Sequence, residues 1–377
     1  MLASINFKAL ANPAIRTLVA YDPGHDIPGL RKAFASKGGL LELGSNENCY
    51  GPSPDIQIGL QTELSAIFRY PDPSGKALKL AIAEKYQVPQ KCIALGNGSH
   101  ELLMQFAQVF AGPDDEVLLS RYCFAVYAIA VHAVGAQLKV AEAFDLQHSM
   151  PLGHDLNALL AGITAKTKLI FFANPNNPTG TWFSFAQLSN FLAAVPANVL
   201  VVVDEAYIEY ASNPEIQSAL VLFKKFPNLI VTRTFSKAYG LAGLRVGFAI
   251  ADAKIVQLLE PIRESFNVNA IALHAARLAL SDDTHLAQVC ANNAIERDWL
   301  QSQLTAMGLQ VLPSQTNFLL VHFGEATVQI EKALFERGVI VRPMAGYGLG
   351  HFLRITLSTH ADNQRFVSTL QEVMACL

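Results

Sequence analysis

The chain has 377 residues, of which 51% are hydrophobic and only 16% charged, with a formal net charge of −3. That length gives a prior of roughly two or three domains and allows a large buried core, and the composition excludes a disordered chain. With 31 Asp+Glu against 28 Lys+Arg, the basic excess that marks a nucleic-acid binder is missing, which leaves room for a local basic pocket around a small anion.

Residues 1–40 are mixed and punctuated by Pro13, Pro23, Gly24, Pro28 and Gly38-Gly39, so they read as an arm followed by a linker. GSNENCYGPSP (44–54) is almost all turn formers. A helix is predicted at about 55–68, then a turn at YPDPSG (70–75), whose Ser74 is placed to cap a helix running to about Tyr86. From about 91 to 250 short apolar strands alternate with helical stretches. The strands are CIALG (92–96), EVLLS (116–120), QLKVAEA (137–143), KLIFFAN (168–174), NVLVVVDE (198–205), LIVTRTF (229–235) and RVGFAI (245–250). Helices are predicted at about 99–110, 124–132, 184–195 and 217–226. Several strands are apolar on nearly every residue, as expected when helices cover both faces of a mostly parallel sheet.

After about 252 the texture changes. Helices are predicted at 252–264 and 268–280, or as one helix bent near Asn267, and a long one at 284–307. TNFLLVHF (316–323), a helix at 325–337, VIVRP (339–343), FLRITLS (352–358) and a final helix from about 361 complete the chain. The resulting expectation is an α/β protein. An N-terminal arm (1–40) joins a small C-terminal α+β domain (266–377), beside a large domain (41–265) with a mostly parallel sheet. Cys49, Cys92, Cys123, Cys290 and Cys376 are scattered and form no CxxC pair, which argues for a reducing compartment. No run of about 18 apolar residues predicts a membrane span, and the N-terminal stretch does not read as a signal peptide, so the expected location is the cytoplasm.

Four places can carry chemistry. TFSKAYGLAGLRVGF (234–248) leaves a buried strand directly. A lysine at such a position is seldom without a partner, and its amine can condense with an aldehyde cofactor. Ser236 and Arg245 are good phosphate donors, and the intervening glycines admit a ligand close to the backbone. The alternative is a surface lysine followed by a tight turn. In VVVDEAYIEY (201–210), Asp204 ends an apolar strand at the carboxyl edge of the sheet, where open α/β sheets bind ligands. It can face a protonated ring nitrogen or cap the following segment, and Tyr207 can donate to a second ring substituent. NPNNPTG (174–180) is a rigid turn that either aims the Asn177 amide at a ligand or merely links strand to helix. LGNGSHELL (95–103) opens a helix whose Ser99 and His100 amides can cradle a phosphate, or Ser99 is a plain N-cap. There is no HExxH, no zinc spacing, no P-loop and no G-x-S-x-G elbow. His132 and His274 read as structural, and Phe171, Phe172 and Phe318 as core.

Taken together and in this order, NENCYG, YPDPSG, GNGSHELL, NPNNPTG, VVVDEAY, TFSKAYGLAGLRVG, TNFLLV, VIVRP and FLRITLST resemble the fold-type I pyridoxal-phosphate aminotransferases, and more narrowly the histidinol-phosphate aminotransferases. The resemblance implies pyridoxal 5′-phosphate as cofactor. Lys237 would bind its aldehyde and later move the proton between the substrate Cα and the cofactor C4′. Asp204 would pair the pyridine nitrogen, Tyr207 and Asn177 the ring hydroxyl side, and Phe124 would stack on the ring. Ser236, Arg245 and the amides of Ser99 and His100 would hold the phosphate. Tyr50 would reach the phosphate of a neighbouring subunit, which requires a homodimer. Arg354 would grip the substrate carboxylate with help from Asn177, while Tyr21 and Arg342 would face its distal end. No metal is implied.

The implied reaction is transamination between histidinol phosphate and 2-oxoglutarate in histidine biosynthesis. An aromatic or broad-range aminotransferase is the alternative, with a related decarboxylase and a non-enzymatic cofactor-binding module further off. Three positions depart from the family pattern: Cys49 where proline is common, His100 where aspartate is common, and His322 where many relatives carry arginine.

Overall fold

The computed structural model describes residues 5–20, 24–36 and 38–377, so Tyr21 lies outside the described residues. In chain order the strands are β1 (Leu41–Glu42), β2 (Ile93–Gly96), β3 (Glu116–Ser120), β4 (Gln137–Ala141), β5 (Thr167–Ala173), β6 (Leu200–Asp204), β7 (Leu229–Thr234), β8 (Gly247–Ile250), β9 (Gln310–Val311), β10 (Phe318–His322), β11 (Val339–Ile340), β12 (Arg342–Pro343) and β13 (Phe352–Thr356). Seven of them form one sheet in the order β2-β8-β7-β6-β5-β3-β4. The run β7-β6-β5-β3-β4 is parallel, and β8 is antiparallel to both β7 and β2. The continuous apolar patterns of β5, β6 and β7 follow from burial on both faces. Phe171, Val202 and Ile230 pack with the helix Ser99–Phe110 on one side, and Phe172, Val203 and Val231 with the helix Phe185–Ala194 on the other.

Register decides what the sheet edge carries. Ala173 pairs with Asp204, Asp204 with Thr232, and Thr234 with Gly247, which also pairs with Gly96. The carboxyl ends of β5, β6, β7 and β2 therefore lie along one rim. The NPNNPTG turn, Asp204, the Lys237 turn and the start of the Ser99 helix are all brought to it.

The remaining chain builds a four-stranded antiparallel sheet, β12-β13-β10-β9, and a parallel pair, β1-β11. Leu41, Leu319, Leu353, Leu300, Leu334 and Phe366 share their core with three helices, Asp283–Ala306, Thr327–Glu336 and His360–Ala375. The helix Ala270–Ser281 packs its Ala272, Ala275, Ala276 and Ala279 stripe against Leu95, Phe248 and Ile250 of the large sheet.

Two local expectations are corrected. Ser74 does not cap the helix Lys76–Tyr86. The carboxylate of Asp72 accepts from the amides of Ser74 and Lys76 instead, being the ionised and stronger acceptor. Residues 217–226 form only a short 3-10 turn, Ala219–Leu222, bound at its start to Glu205. The expected pair of helices over 252–280 is present, as Ala253–Leu259 and Ala270–Ser281, and the alternative of one bent helix is set aside. The second is capped by the Asn269 side chain, and Asn267 between them donates to the carbonyl of Leu95 and to Glu101. Among the described residues no helix is long and apolar enough to cross a membrane.

Candidate active site

At the carboxyl rim of the large sheet, beneath the small sheet, lies a cavity of about 240 Å³. Ser99, His100, Phe124, Asn177, Asp204 and Tyr207 line it, as do Ser236, Lys237, Arg245 and Arg354. Arg342 is one strand further out, and Tyr50 does not line the cavity of its own chain. Tyr50 rests by the Tyr210 and Val289 side chains and is half-buried there.

Lys237 follows β7 by three residues. Its Nζ donates to the carbonyls of Ser45 and Asn46, at 3.3 and 3.2 Å, and lies 5.7 Å from the centre of the Tyr207 ring. The recess withdraws it from solvent and Arg354 adds positive charge, so its pKa falls to about 8. A sizeable neutral fraction at mildly alkaline pH makes it a usable nucleophile and base.

Asp204 ends β6 and is 4% exposed. Tyr127 donates its phenol to Oδ2 at 2.9 Å and the amide of Ala206 donates to Oδ1 at 3.2 Å. Burial raises the carboxyl to about 6 against the lowering pull of those donors. Tyr207 is held from the opposite side. Asn46 Nδ2 donates to its phenol oxygen at 3.0 Å, leaving the phenol hydrogen available to the cavity. Asn46 has φ of 56°, a left-handed conformation that asparagine tolerates. Its backbone amide and Oδ1 both bond the Thr356 hydroxyl.

An anion cradle occupies one end. Arg245 donates to Ser236 Oγ at 3.3 Å and to the carbonyl of Ala242 at 2.8 Å. Gly247 is required beside it, because a Cβ there would lie 2.5 Å from the backbone nitrogen of Ser99. Helix start, serine and guanidinium thus converge. Burial and then the Arg245 charge lower the His100 imidazole below its usual pKa.

At the other end Arg354, only 7% exposed, donates to Asn177 Oδ1 at 2.6 Å and to the carbonyl of Gly44 at 2.8 Å. Its guanidinium lies 5.2 Å from the centre of the Phe318 ring. Asn177 stands in the NPNNPTG turn, where the 174–175 and 177–178 peptide bonds are cis. On β12, Arg342 is directly opposite Arg354 of β13. Facing positions of an antiparallel pair put both side chains on one sheet face, where like charges repel. Arg342 opens onto an adjoining cavity of about 320 Å³ shared with Glu42, Ser45 and Glu331.

Residues 39–370 match the family Aminotransferase class I and II. The chain is 43% identical to histidinol-phosphate aminotransferase 2 of Pseudomonas fluorescens (strain Pf0-1), over 98% of this chain and 99% of that protein. The chain belongs to the histidinol-phosphate aminotransferases, within the fold-type I pyridoxal-phosphate transferases. Histidinol-phosphate aminotransferase 1 of Nitrosococcus oceani is 40% identical over 99% of both chains. The crystal structure of the Sinorhizobium meliloti histidinol-phosphate aminotransferase in complex with pyridoxal 5′-phosphate superposes with a TM-score of 0.83 at 28% identity, covering 97% of this chain and 98% of that one.

The donor set of the aminotransferase fits its family's cofactor. A buried carboxylate whose own partners are a phenol and an amide suits a cationic ring nitrogen. The Ser99–Ser236–Arg245 cradle suits a phosphate, and a lysine amine stands between them. Sequence reasoning missed Asn46 and Tyr127. Asn46 stood in the NENCYG stretch without a role of its own, and Tyr127 lay in a mostly apolar helical stretch and was not singled out. Asn317 is structural: its amide donates to the carbonyls of Asn46 and Glu47. His322 lies at the far end of β10 from Phe318, its ring 4.8 Å from that of Phe352, and does not line the cavity.

Proposed function

We propose that the aminotransferase exchanges the amino group of L-histidinol phosphate with 2-oxoglutarate, working toward histidinol phosphate with glutamate as donor, as a step of histidine biosynthesis. The observation carrying this reading is Arg354 in the Lys237 cavity, with Arg342 opposite it in strand register and lining the adjoining cavity. Arg354 would take the glutamate α-carboxylate bidentately, and Arg342 the distal phosphate or side-chain carboxylate. Tyr21 is proposed to join Arg342.

Pyridoxal 5′-phosphate, when bound, supplies an aldehyde for the amine and an electron-poor ring that stabilises negative charge at the substrate Cα. Asp204 would hold the ring nitrogen cationic, Tyr207 and Asn177 would bind the ring hydroxyl side, and Phe124 would cover one ring face. Ser236, Arg245 and the Ser99 and His100 amides would fix the phosphate. Lys237 Nζ takes the proton from the substrate Cα. Its pKa near 8 keeps it basic enough to accept that proton and acidic enough to return it. Asn177 would link the two ligands, since its Oδ1 orients Arg354 while its amide nitrogen stays available for the cofactor.

A homodimer, in which Tyr50 reaches the partner's phosphate cradle, completes the proposal. Exposed Ile58, Leu64, Ile67, Phe68 and Tyr70 support it as apolar surface of the kind subunits bury. Sedimentation checks the dimer, and a monomer that turns over at full rate rejects it.

An amino-acceptor panel of imidazole-acetol phosphate, phenylpyruvate and oxaloacetate, with glutamate as donor, tests the substrate. The imidazole phosphate ketone should give the highest kcat/KM. Equal efficiency with phenylpyruvate would replace this reading with an aromatic aminotransferase. Lys237→Ala should still bind cofactor yet lose about 10²–10⁴-fold or more in the rate at which glutamate discharges its visible band.

A further inference from the structure

We infer that Tyr127 is a positioning residue that aims the Asp204 carboxylate at the cofactor ring, through the hydrogen bond its phenol donates to Oδ2. This rests on the reading that the cavity holds pyridoxal phosphate with Asp204 at the ring nitrogen.

The geometry leaves the phenol little freedom. Tyr127 is fully buried on the helix Ala125–Ala133. Its ring stacks on Phe171 (centroids 5.5 Å apart, planes at 19°) and meets Phe124 edge-on (5.8 Å, 90°). Clamped on two sides, it directs its hydroxyl to one place, 2.9 Å from Asp204 Oδ2. The amide of Ala206 takes Oδ1. Donors from two different elements, one on each oxygen, fix the plane of the carboxylate as well as its position. A phenylalanine would fill the same volume among the same apolar neighbours. The hydroxyl is therefore explained by the carboxylate and not by packing.

Phe124 is the N-cap of the helix and Tyr127 stands in its first turn, so one helix start carries both the ring that would cover the cofactor and the donor that orients the carboxylate at its nitrogen. The other groups facing Asp204 do not compete. Glu205 gives its charge to Arg233 at 2.8 Å. The Tyr207 oxygen accepts from Asn46. The Thr232 hydroxyl on β7 also faces the carboxylate and pulls its pKa down in the same sense as Tyr127, and Cys123 beside Tyr127 is a neutral thiol.

The sign of the effect follows. A phenol donor stabilises the carboxylate anion, and that anion is the form that pairs with a cationic ring nitrogen. Loss of the donor should make Asp204 protonate at higher pH and loosen its aim.

The test is the dissociation constant of pyridoxal phosphate, measured from pH 5 to 8 on purified full-length wild type, Tyr127→Phe, Asp204→Asn and the double variant. For Tyr127→Phe the acid-side loss of affinity should move up by about one pH unit, so that the constant rises about tenfold at pH 5 and about twofold at pH 7, the scale of one hydrogen bond to a charged group. In the Asp204→Asn background, Tyr127→Phe should change nothing further. Replacing Tyr127 by 3-fluorotyrosine, a stronger donor of the same shape, should move the acid limb down. Melting of the cofactor-free proteins checks that each variant is folded.

A Tyr127→Phe profile that overlays wild type overturns the inference. So does an equal loss in the Asp204→Asn background, which would mean packing alone. Failure of the wild type to bind the cofactor would instead overturn the underlying reading of the cavity.

Discussion

Asp204 is a buried anion that the fold carries whether or not a ligand has arrived. Its carboxyl is raised from an ordinary value of 3.8 to about 6 by burial. Between those pH values the cofactor-free native protein binds more protons than the unfolded chain, so stability falls as pH climbs through that window and the full cost stands above it. Asp204→Asn should thus melt a few degrees higher than wild type at pH 8 without cofactor, a gain on the order of 1–3 kcal/mol that shrinks toward pH 5. Calorimetry at both pH values checks this; a destabilised variant at pH 8 would contradict it. Lys237 behaves oppositely in sign. Its pKa is depressed to about 8, so its cost is full below that value and fades as pH rises toward its ordinary 10.5. At the proposed substrate end, Arg354→Lys keeps the charge but loses the planar fork that reaches Asn177 and Gly44. The KM for glutamate should rise by about 10–100-fold, the worth of one or two charge-assisted hydrogen bonds, with a smaller fall in kcat. Steady-state kinetics separate the two.

At the scale of elements, the β7–β8 connection does most to set the site, because it carries Ser236, Lys237 and Arg245 between antiparallel neighbours. Gly240 lets that connection lie against the 48–52 loop. Its φ is +70°, and a Cβ there would sit 2.6 Å from the backbone carbon of Gly51. Gly240→Ala should therefore push the lysine turn off that loop and weaken cofactor binding by about tenfold or more, with a destabilisation of about 1–3 kcal/mol. Fluorescence titration and thermal melting check the two effects. These elements were largely legible in the sequence. Strands such as 116–120 and 229–234 carry an unbroken apolar run of three residues (117–119 and 229–231) and lie close to turn residues, so composition and punctuation both pointed to them. Local signals misled where a competing group lay close by. Ser74 looked like a cap, but a carboxylate two residues earlier took the helix start. The 217–226 stretch looked helical, but a buried Glu205 holds it as a short turn. The lysine, aspartate and asparagine of the site announced themselves by standing at strand ends. Asn46 and Tyr127 could not, because their partners lie 161 and 77 residues away in sequence.

Across the whole molecule the site joins two sheets. The large sheet supplies Asp204 and Lys237, the small one Arg354, and a ligand touching all three ties both cores together. Saturating pyridoxal phosphate should accordingly raise the unfolding free energy, by about 2.7 kcal/mol at a hundred times its dissociation constant. Lys237→Ala, limited to non-covalent contacts, should show a smaller rise in melting temperature at equal concentration. A melting curve unmoved by cofactor in the wild type would contradict the fit of the cavity.

Asn46 bonds Thr356 across 310 residues of chain. On the ribosome, then, the asparagine waits for 310 further residues before the hydroxyl that steadies it has been made. A nascent chain released before β13 leaves the exit tunnel would lack both Thr356 and Arg354, and so the wall that β13 gives the cavity.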